Sequence, residues 1–234
     1  MALTLATTTP GEPEIFASLQ GEGRSAGLPC TFVRLSRCNL ACTWCDTAYT
    51  WRFTEFDRKA NQITLSEADT AARIMALGGE RLVITGGEPL LQGAQLARMV
   101  ALLNGHAVEI ETNGTVAPHA ALAPLVAQYN VSPKLKHSGN AVEIALLSER
   151  LMAWKNEPKA HFKFVISVPD DVAEVLSLQQ TYAIPSERIQ LMPEGTTSAA
   201  IRARSSWLAP LAHQHGFDCS DRLHIHLYGD TRGT

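Results

Sequence analysis

The stretch that organises the chain is CNLACTWCDT, residues 38–47, which holds three of the five cysteines in a C-x3-C-x2-C spacing. Cys38, Cys42 and Cys45 are close in sequence, and an irregular loop can turn such side chains toward one point. The spacing therefore predicts that the three thiolates share one centre. Thiolate sulfur is a soft ligand that suits iron–sulfur clusters, zinc or copper(I) and matches oxygen-preferring metals poorly.

Spacing alone leaves three interpretations of these cysteines open. They are reduced thiols of an ordinary loop, zinc ligands, or ligands of a 4Fe–4S cluster. Structural zinc normally takes four ligands, usually in two close pairs, whereas Cys30 and Cys219 stand far apart in the sequence. A 4Fe–4S cluster held by three cysteines would leave one iron open to bind a small molecule. Such a cluster would be a chemical site rather than a brace.

The composition indicates a globular protein, because 45% of the 234 residues are hydrophobic and 18% are charged. The formal net charge is −3 and the pI is about 6.2, and since no basic stripe is visible, sequence-independent nucleic-acid binding is disfavoured. No apolar run of about eighteen residues exists, and residues 1–6 lack signal-peptide features, so neither a membrane segment nor export is expected. The odd cysteine count and the tight cluster favour a reducing, cytoplasmic compartment.

Strand-like and helix-like segments alternate along the chain. Predicted strands cover residues 14–19, 31–35, 81–85, 107–111, 130–134, 161–168, 188–192 and 223–228. Predicted helices cover residues 66–77, 90–103, 118–128, 142–154, 170–182 and 198–215. Such alternation predicts a parallel sheet with crossover helices. Since a closed eight-unit barrel normally needs about 250 residues, we expect an α/β fold with a partial, open β/α barrel of about six parallel strands.

The chain has no linker rich in Pro, Gly or Ser and no internal repeat, so we expect a single domain over residues 1–234 with residues 1–13 as a loose lead-in. In β/α folds the chemistry lies at the carboxyl ends of the strands. Polar and glycine-containing segments follow the predicted strands at GGEP (86–89), ETNG (111–114), SPK (132–134) and QLMP (190–193). We therefore expect these segments to share one site with the cysteine loop.

The cysteine spacing and the GGEP segment together resemble the radical S-adenosylmethionine (SAM) superfamily. The resemblance implies a 4Fe–4S cluster on Cys38, Cys42 and Cys45, whose open iron binds the amino and carboxylate groups of SAM. Reductive cleavage of SAM then gives a 5′-deoxyadenosyl radical that removes a hydrogen atom from the substrate. Expected SAM contacts lie at Gly87, Glu111, Ser132, Pro133, Lys134, Gln190, Leu191, Met192 and Pro193.

The chemistry of these strand-end residues suits SAM, although a purely structural role is open for each of them. The Glu111 carboxylate can accept hydrogen bonds from ribose hydroxyls, and Ser132 and Lys134 can hold the ribose or the SAM carboxylate. The backbone of residues 190–193 can line the adenine.

Further segments resemble one family within this superfamily, the 7-carboxy-7-deazaguanine synthases. These segments are EIF (14–16), LQGEG (19–23), G-x-P (27–29), FVRL (32–35), CDT (45–47) and VSPK (131–134). The resemblance implies a carbon–nitrogen lyase that converts 6-carboxy-5,6,7,8-tetrahydropterin to 7-carboxy-7-deazaguanine with loss of ammonia, in queuosine biosynthesis. It also implies Mg²⁺ beside the 4Fe–4S cluster and SAM, with SAM regenerated.

The same resemblance assigns roles to single residues. Substrate binding is expected of Leu19, Gln20, Gly21, Arg34, Thr85 and Thr234. Arg34 would hold the substrate carboxylate, and Thr47 would bind Mg²⁺ through its hydroxyl.

The partners expected are a pterin substrate, an electron donor such as flavodoxin, and a second copy of the chain, with no nucleic acid and no membrane. Two alternatives remain: another radical SAM enzyme, such as a glycyl-radical activase, and a non-catalytic metal-binding module. Cys30 and Cys219 are expected to be packing thiols. His224 and His226 are expected to face one side of the last strand.

Overall fold

One sheet runs through the protein, and the computed structural model describes it over residues 2–234. In chain order its strands are β1 (Ala2–Thr9), β2 (Glu12–Pro13), β3 (Ile15–Leu19), β4 (Pro29–Leu35), β5 (Gln62–Ser66), β6 (Arg81–Gly86), β7 (Ala107–Thr112), β8 (Gln128–Val131), β9 (Ala160–Ile166), β10 (Ile189–Pro193) and β11 (Asp218–Cys219). They lie side by side in the order β11-β10-β9-β8-β7-β6-β4-β1-β2, while β3 pairs with β4 and β5 with β1.

The pairings from β4 to β11 along this order are all parallel. The strands β1, β2, β3 and β5 pair antiparallel instead and extend the sheet beyond β4. The parallel part does not close on itself. Six of its strands are longer than the two-residue β11, which confirms the predicted open barrel of about six parallel strands.

Helices lie between the strands and after the last strand. They are α1 (Arg58–Asn61), α2 (Glu67–Leu77), α3 (Gly93–Val100), α4 (Val142–Ala145), α5 (Ser148–Asn156), α6 (Asp170–Tyr182), α7 (Ser198–His215) and α8 (Leu223–Tyr228). Local chemistry explains the bounds of α2: the Ser66 hydroxyl accepts a hydrogen bond from the Asp69 amide at 3.0 Å, and Gly78 ends the helix at a φ of +71°. No helix among residues 2–234 is both long and apolar enough to cross a membrane.

The two faces of the parallel strands differ in polarity. Side chains alternate between the faces along a strand, and apolar side chains such as Ile84, Ile110 and Phe164 are fully buried in the main hydrophobic core. The opposite face also carries buried side chains, but polar ones, among them Glu109 and Lys163. Buried polar groups need partners, so this inner face is where a site is expected.

The described part of the predicted lead-in, residues 2–13, is not loose, so this prediction is wrong. β1 pairs with β4 and β5, and Leu3 and Leu5 are fully buried. The stretch is stabilised by strands that follow much later in the chain, and β5 itself was not predicted. Local sequence gives no sign of such distant pairing.

Residues 223–228 form helix α8 and not the predicted last strand. The short β11 already occupies the edge of the sheet beside β10, and α8 crosses to the inner side, where the Leu223 amide donates to the Gly21 carbonyl at 2.8 Å. His224 and His226 therefore do not alternate along a strand. The alternation of histidines with apolar residues suggested a strand, but packing against the loop of residues 19–23, which contains Gly21, decided the conformation.

Three other predicted helices are shorter or divided. Residues 90–103 contain a 3-10 turn before α3, and residues 142–154 divide into α4 and α5. Residues 118–128 contain only a 3-10 turn at Ala123–Leu125. Pro124 lies in that turn, and proline removes the backbone N–H that a longer helix needs.

Candidate functional site

A cavity of about 490 Å³ opens at the carboxyl edge of the parallel strands. Most of the predicted site residues line it: Leu19, Gln20, Gly21, Arg34, Cys38, Cys42, Cys45, Thr47, Thr85, Gly87, Glu111, Ser132, Lys134, Met192, Pro193 and Thr234. Among the described residues, the predicted SAM contacts Pro133, Gln190 and Leu191 do not line it, and Leu191 lies in the hydrophobic core. The strand ends that sequence placed far apart thus meet at one site.

The cysteine loop directs N–H groups at its sulfur atoms. The Trp51 indole donates to Cys45 Sγ at 3.3 Å, and the Asn140 side-chain amide donates to Cys42 Sγ at 3.3 Å. The side-chain amide of Asn113 lies 3.8 Å from Cys38 Sγ. Hydrogen bonds to sulfur are one means by which proteins set the potential of an iron–sulfur cluster, so this environment fits thiolate ligands of a cluster.

The spacing of the sulfurs bears on which metal fits. Among residues 2–234, no three His, Cys, Asp or Glu side chains are close enough together to hold a single metal ion. In a 4Fe–4S cluster each thiolate binds a different iron, so its ligands stand further apart than those of one zinc ion.

Burial raises the pKa of Cys38 to about 11 and raises the pKa of Cys42. Metal binding would therefore release thiol protons.

The glycines of the GGEP segment are required by a close approach of the chain. A Cβ atom on Gly86 would lie 2.1 Å from the Leu35 carbonyl oxygen, and one on Gly87 would lie 2.1 Å from the Arg37 carbonyl oxygen. Both contacts are with backbone, which cannot rotate away. Only glycine lets the end of β6 pass this close to the start of the cysteine loop.

Glu88 joins this segment to the next strand end. It is fully buried and accepts hydrogen bonds from the Leu90 amide at 3.0 Å, the Thr112 hydroxyl at 2.8 Å and the Asn113 amide at 2.7 Å. Asn113 in turn reaches Cys38 Sγ. The acidic residue of GGEP is thus a brace that fixes the loops around the cysteines.

Three predicted residues meet at the end of β7. The Glu111 carboxylate accepts hydrogen bonds from the Gln20 side-chain amide at 3.2 Å and the Thr85 hydroxyl at 2.9 Å. Gln20 and Thr85 were predicted for the substrate, and Glu111 for the SAM ribose. The structure places all three together, so Glu111 lies at the predicted substrate end of the cavity.

Arg34 lies on the cavity wall and pairs with a buried acid. Its Nε is 2.7 Å from Glu14 Oε1, and the Tyr49 hydroxyl donates to Glu14 at 2.8 and 3.1 Å. Glu14 is only 1% exposed. A guanidinium has further N–H donors beyond Nε, so the fixed fork can still receive a carboxylate from the cavity.

Lys134 and Ser132 come together as predicted neighbours at the end of β8. The Lys134 ammonium donates to the Ser132 hydroxyl at 2.7 Å and to its carbonyl at 2.8 Å, and it lies 5.7 Å from the centre of the Trp44 ring. Burial lowers the pKa of Lys134. The two hydrogen bonds to Ser132 hold the Lys134 side chain at the cavity edge, close to the cysteine loop.

A buried ionic network that sequence reasoning missed crosses the cavity. The Glu22 carboxylate pairs with Lys163 and, at 3.0 Å, with Arg222, and Arg222 also pairs with Asp46 at 2.5 Å. Burial alone would raise the pKa of Glu22, but Lys163 and Arg222 hold it far below its usual range. A charge within the apolar strand of residues 161–168 is the signal that could have drawn attention to Lys163, whereas no local pattern marks Arg222.

Thr47 stands between the cysteines and this network. Its hydroxyl lies 3.7 Å from Cys45 Sγ, and the carboxylates of Asp46 and Asp230 line the same cavity. Hydroxyl and carboxylate oxygens are the hard ligands that Mg²⁺ prefers. The chemistry of these donors is therefore of the kind that a magnesium ion takes.

The C-terminal residues fold back onto the cavity, and Thr234 lines it. The Arg232 guanidinium lies 3.4 Å from the centre of the Tyr49 ring, and it donates to the Asn61 side chain at 2.9 Å. These contacts bring the predicted substrate residue Thr234 to the site.

Comparison with known proteins identifies the family. Over 94% of its length the chain is 38% identical to the 7-carboxy-7-deazaguanine synthase of Pyrobaculum aerophilum, of which the match covers 95%. The corresponding synthase of Halobacterium salinarum is 35% identical over 94% of this chain and 91% of its own. The chain belongs to the 7-carboxy-7-deazaguanine synthase family.

Structure agrees with this membership in the 7-carboxy-7-deazaguanine synthase family. The crystal structure of QueE from Escherichia coli superimposes with a TM-score of 0.68 at 27% identity, covering 94% of this chain and 95% of that one. The family model of the radical SAM superfamily matches residues 33–144. That range begins in β4 and includes the cysteine loop and the GGEP segment.

Membership settles the cofactor question that the cysteine spacing left open. Radical SAM enzymes carry a 4Fe–4S cluster and use SAM, and these are the cofactors of this chain. The donor set of Cys38, Cys42 and Cys45 fits the cluster, as the N–H groups at their sulfur atoms show. The loop-thiol and zinc interpretations are thereby set aside.

Proposed function

We propose that this chain converts 6-carboxy-5,6,7,8-tetrahydropterin to 7-carboxy-7-deazaguanine with release of ammonia. The observation that carries the proposal is the single cavity in which the cysteine loop faces Gln20, Arg34 and Thr85. A radical generator and a polar, carboxylate-binding pocket thus share one space. The reaction is that of a carbon–nitrogen lyase in the radical SAM superfamily.

Gln20, Thr85 and Glu111 would orient the pterin ring. A pterin presents paired donors and acceptors along its amide edge, and the linked side chains of these residues offer an amide, a hydroxyl and a carboxylate. Exchange of their mutual hydrogen bonds for bonds to the ring would leave no buried group unpaired. Leu19 and Gly21 would cover the pterin ring from the LQGEG loop.

Arg34 would hold the substrate carboxylate. Its side chain is fixed by Glu14 before substrate enters, so little side-chain freedom is lost on binding. A bidentate guanidinium also sets the angle of the carboxylate, and correct orientation lowers the entropic part of the barrier.

SAM would lie between the cluster loop and the ends of β6, β8 and β10. Gly87, Ser132, Lys134, Met192 and Pro193 all face that part of the cavity wall. When bound, the cluster and SAM supply the radical chemistry that removes a hydrogen atom from the substrate. Lys134 is positioned to pair with the SAM carboxylate, whereas the backbone beside Gly87 would receive its ammonium group.

Thr47 would bind Mg²⁺, which supplies Lewis-acid stabilisation of charge when bound. The hydroxyl of Thr47 faces the cavity beside Cys45. Residues 229–234 would keep water from the reacting carbon, because they border the same cavity. A shielded site protects a reactive intermediate from side reactions.

The wider setting follows from this chemistry. We propose a reducing, cytoplasmic compartment, which agrees with five free cysteines, and an external electron donor such as flavodoxin to reduce the cluster. We further propose one radical SAM domain over residues 1–234 that acts as a homodimer on a small-molecule substrate, without nucleic acid or membrane.

An anaerobic turnover assay tests the proposed reaction. The reconstituted protein is supplied with SAM, Mg²⁺, a reductant and 6-carboxytetrahydropterin, and mass spectrometry detects 7-carboxy-7-deazaguanine. Product that disappears in the Cys42→Ala variant is the expected result. Accumulation of 5′-deoxyadenosine without that product would show that the substrate is wrong and favour another radical SAM reaction, such as activation of a glycyl-radical enzyme.

A further inference from the structure

Arg222 is the residue at which three walls of the cavity meet. It lies between β11 and α8 and is 8% exposed. Its Nη2 donates to Asp46 at 2.5 Å, its Nε to Glu22 at 3.0 Å and its Nη1 to the Gly195 carbonyl at 2.5 Å. The three acceptors belong to the cysteine loop, the LQGEG loop and the loop after β10. One guanidinium therefore ties together segments that are far apart in sequence.

The position of each acidic partner gives these contacts a functional meaning. Asp46 stands between Cys45, a cluster ligand, and Thr47, which faces the cavity as the proposed Mg²⁺ ligand. Glu22 follows Gln20 and Gly21, which we place against the pterin. Arg222 thus links the metal end of the cavity to its substrate end through two carboxylates.

The charges of the network favour a fixed geometry. Lys163 and Arg222 offset the charges of Glu22 and Asp46, so neither acid is left unpaired. Arginine suits this position because its planar fork holds several donors at set angles, whereas lysine is a point charge on a flexible stem. Removal of one member would leave a buried charge without a partner.

We propose that Arg222 is a positioning residue for the reaction. It sets the distance between the Asp46–Thr47 segment and the LQGEG loop, and it thereby sets the alignment of the metal with the substrate. The proposal rests on the proposed function. Arg222 acts through Asp46 and Glu22, so its effect depends on those carboxylates. A misplacement of about 1 Å at a reacting centre can cost on the order of 10²-fold in rate.

A double-mutant cycle with Asp46 tests this dependence. Arg222→Gln and Asp46→Asn should each lower kcat by about 10²-fold, and the double variant should be no slower than the slower single variant, because both changes break the same link. Losses that multiply in the double variant would overturn the proposal, since Arg222 would then act independently of Asp46.

Metal binding gives a readout that does not require turnover. Mn²⁺ replaces Mg²⁺ and is titrated by electron paramagnetic resonance, with SAM and substrate present and the cluster left oxidised and diamagnetic. We expect about tenfold weaker Mn²⁺ binding in Arg222→Gln, with cluster iron and sulfide unchanged. Wild-type Mn²⁺ affinity, or a cluster content that falls in step with activity, would overturn the positioning role.

Arg188 supplies the matched control. Its guanidinium also donates to several backbone carbonyls, including those of Ala160 and Lys155, but it is not among the described residues that line the cavity. Arg188→Gln should lower the melting temperature and leave Mn²⁺ binding and kcat unchanged. If Arg222→Gln does not fold, Arg222→Lys takes its place in both tests, where an intermediate loss is expected and no loss overturns the proposal.

The same assays separate this proposal from the proposed function. If the wild-type protein makes the product but the losses in the Arg222 and Asp46 variants multiply, only the role of Arg222 is refuted. Wild-type protein that makes 5′-deoxyadenosine and no product would refute the substrate assignment.

Discussion

The cysteine loop and the C-terminal segment border the same cavity, but different contacts hold them. Backbone contacts fix the cysteine loop, such as the hydrogen bond from the Thr43 amide to the Ser138 carbonyl at 3.0 Å. Side-chain contacts hold the C-terminal segment, where Arg232 lies on the Tyr49 ring and donates to the Asn61 side chain. A contact made by an exposed arginine opens at small cost. One border of the cavity is therefore a fixed wall, and the other is a border that can open.

This comparison predicts where a change is most harmful. Changes at the fixed wall should damage alignment and cluster together, whereas changes at the C-terminal border should let water reach the radical and leave the cluster intact. The ratio of 5′-deoxyadenosine to product separates the two outcomes, because it rises when the radical is lost before the product forms.

Gly87→Ala should have the largest effect. The added Cβ would lie 2.1 Å from the Arg37 carbonyl oxygen, so the backbone must move, and kcat/KM should fall by about 10²-fold or more. Initial rates and iron analysis measure the effect. Gly105→Ala is the control, since its φ is +84° and no atom lies within 4 Å of the added Cβ. The control should lose stability without losing activity, and wild-type rates in Gly87→Ala would refute the rigid wall.

Arg34→Ala should raise KM for the substrate by about tenfold to 10²-fold, since a charge-assisted contact is worth about 1.5–3 kcal/mol. The cluster content should stay intact. The variant should also lose stability, because buried Glu14 loses its cationic partner. Arg34→Lys separates the two effects: it keeps a cation beside Glu14 but not the fork, so its melting temperature should recover more than its KM. An unchanged KM in Arg34→Ala would exclude the carboxylate-binding role.

Tyr49→Phe should have a moderate effect, and it tests whether the fixed wall and the C-terminal border of the cavity act separately. The change removes the hydroxyl that donates to Glu14 but keeps the ring on which Arg232 lies. We expect a loss of about 1–2 kcal/mol in the free energy of unfolding and an unchanged ratio of 5′-deoxyadenosine to product. Chemical denaturation and turnover assays measure both quantities. A raised ratio would mean that the fixed wall and the C-terminal border act as one unit.

Arg232→Ala should have the smallest effect on rate. An exposed cation–π contact contributes about 0.5–1 kcal/mol, so kcat/KM should fall only by about twofold to fivefold. The ratio of 5′-deoxyadenosine to product should rise by a similar factor, while the cluster content stays the same and the melting temperature falls only slightly, because the hydrogen bond to Asn61 is lost as well. Arg232→Lys keeps the cation and should bring the ratio of 5′-deoxyadenosine to product most of the way back to the wild-type value. A wild-type ratio in Arg232→Ala would show that this border does not shield the radical.

Much of the fold could be predicted from local sequence because the parallel strands are short apolar runs with helices between them. β6, β7 and β10 lie within one or two residues of their predicted places. The errors at β1 and α8 have one cause. Both segments take their conformation from partners that lie far away in sequence, β5 for the first and the Gly21 loop for the second, and local propensity does not report such partners.

The candidate site shows the same division. The motif residues Cys38, Cys42, Cys45 and Gly87 could be predicted because each is needed by a spacing or a close backbone approach that is written locally. Glu14, Lys163 and Arg222 could not be assigned in this way. Their roles come from ion pairs across the interior of the barrel, which no pattern of neighbouring letters contains.

The sequence by itself determined the family, and through the family the cofactors, because the cysteine spacing, the strand-end glycines and the similarity to known synthases are all properties of the chain's letters. Only the tertiary structure decided which side chains pair inside the cavity and which segment closes it. Arg222, which follows β11, meets Asp46 in the cysteine loop, and Arg232, which follows α8, meets Tyr49, although the partners are far apart in sequence. Such contacts depend on the packing of distant elements, since ion pairing and stacking act through space and not along the chain.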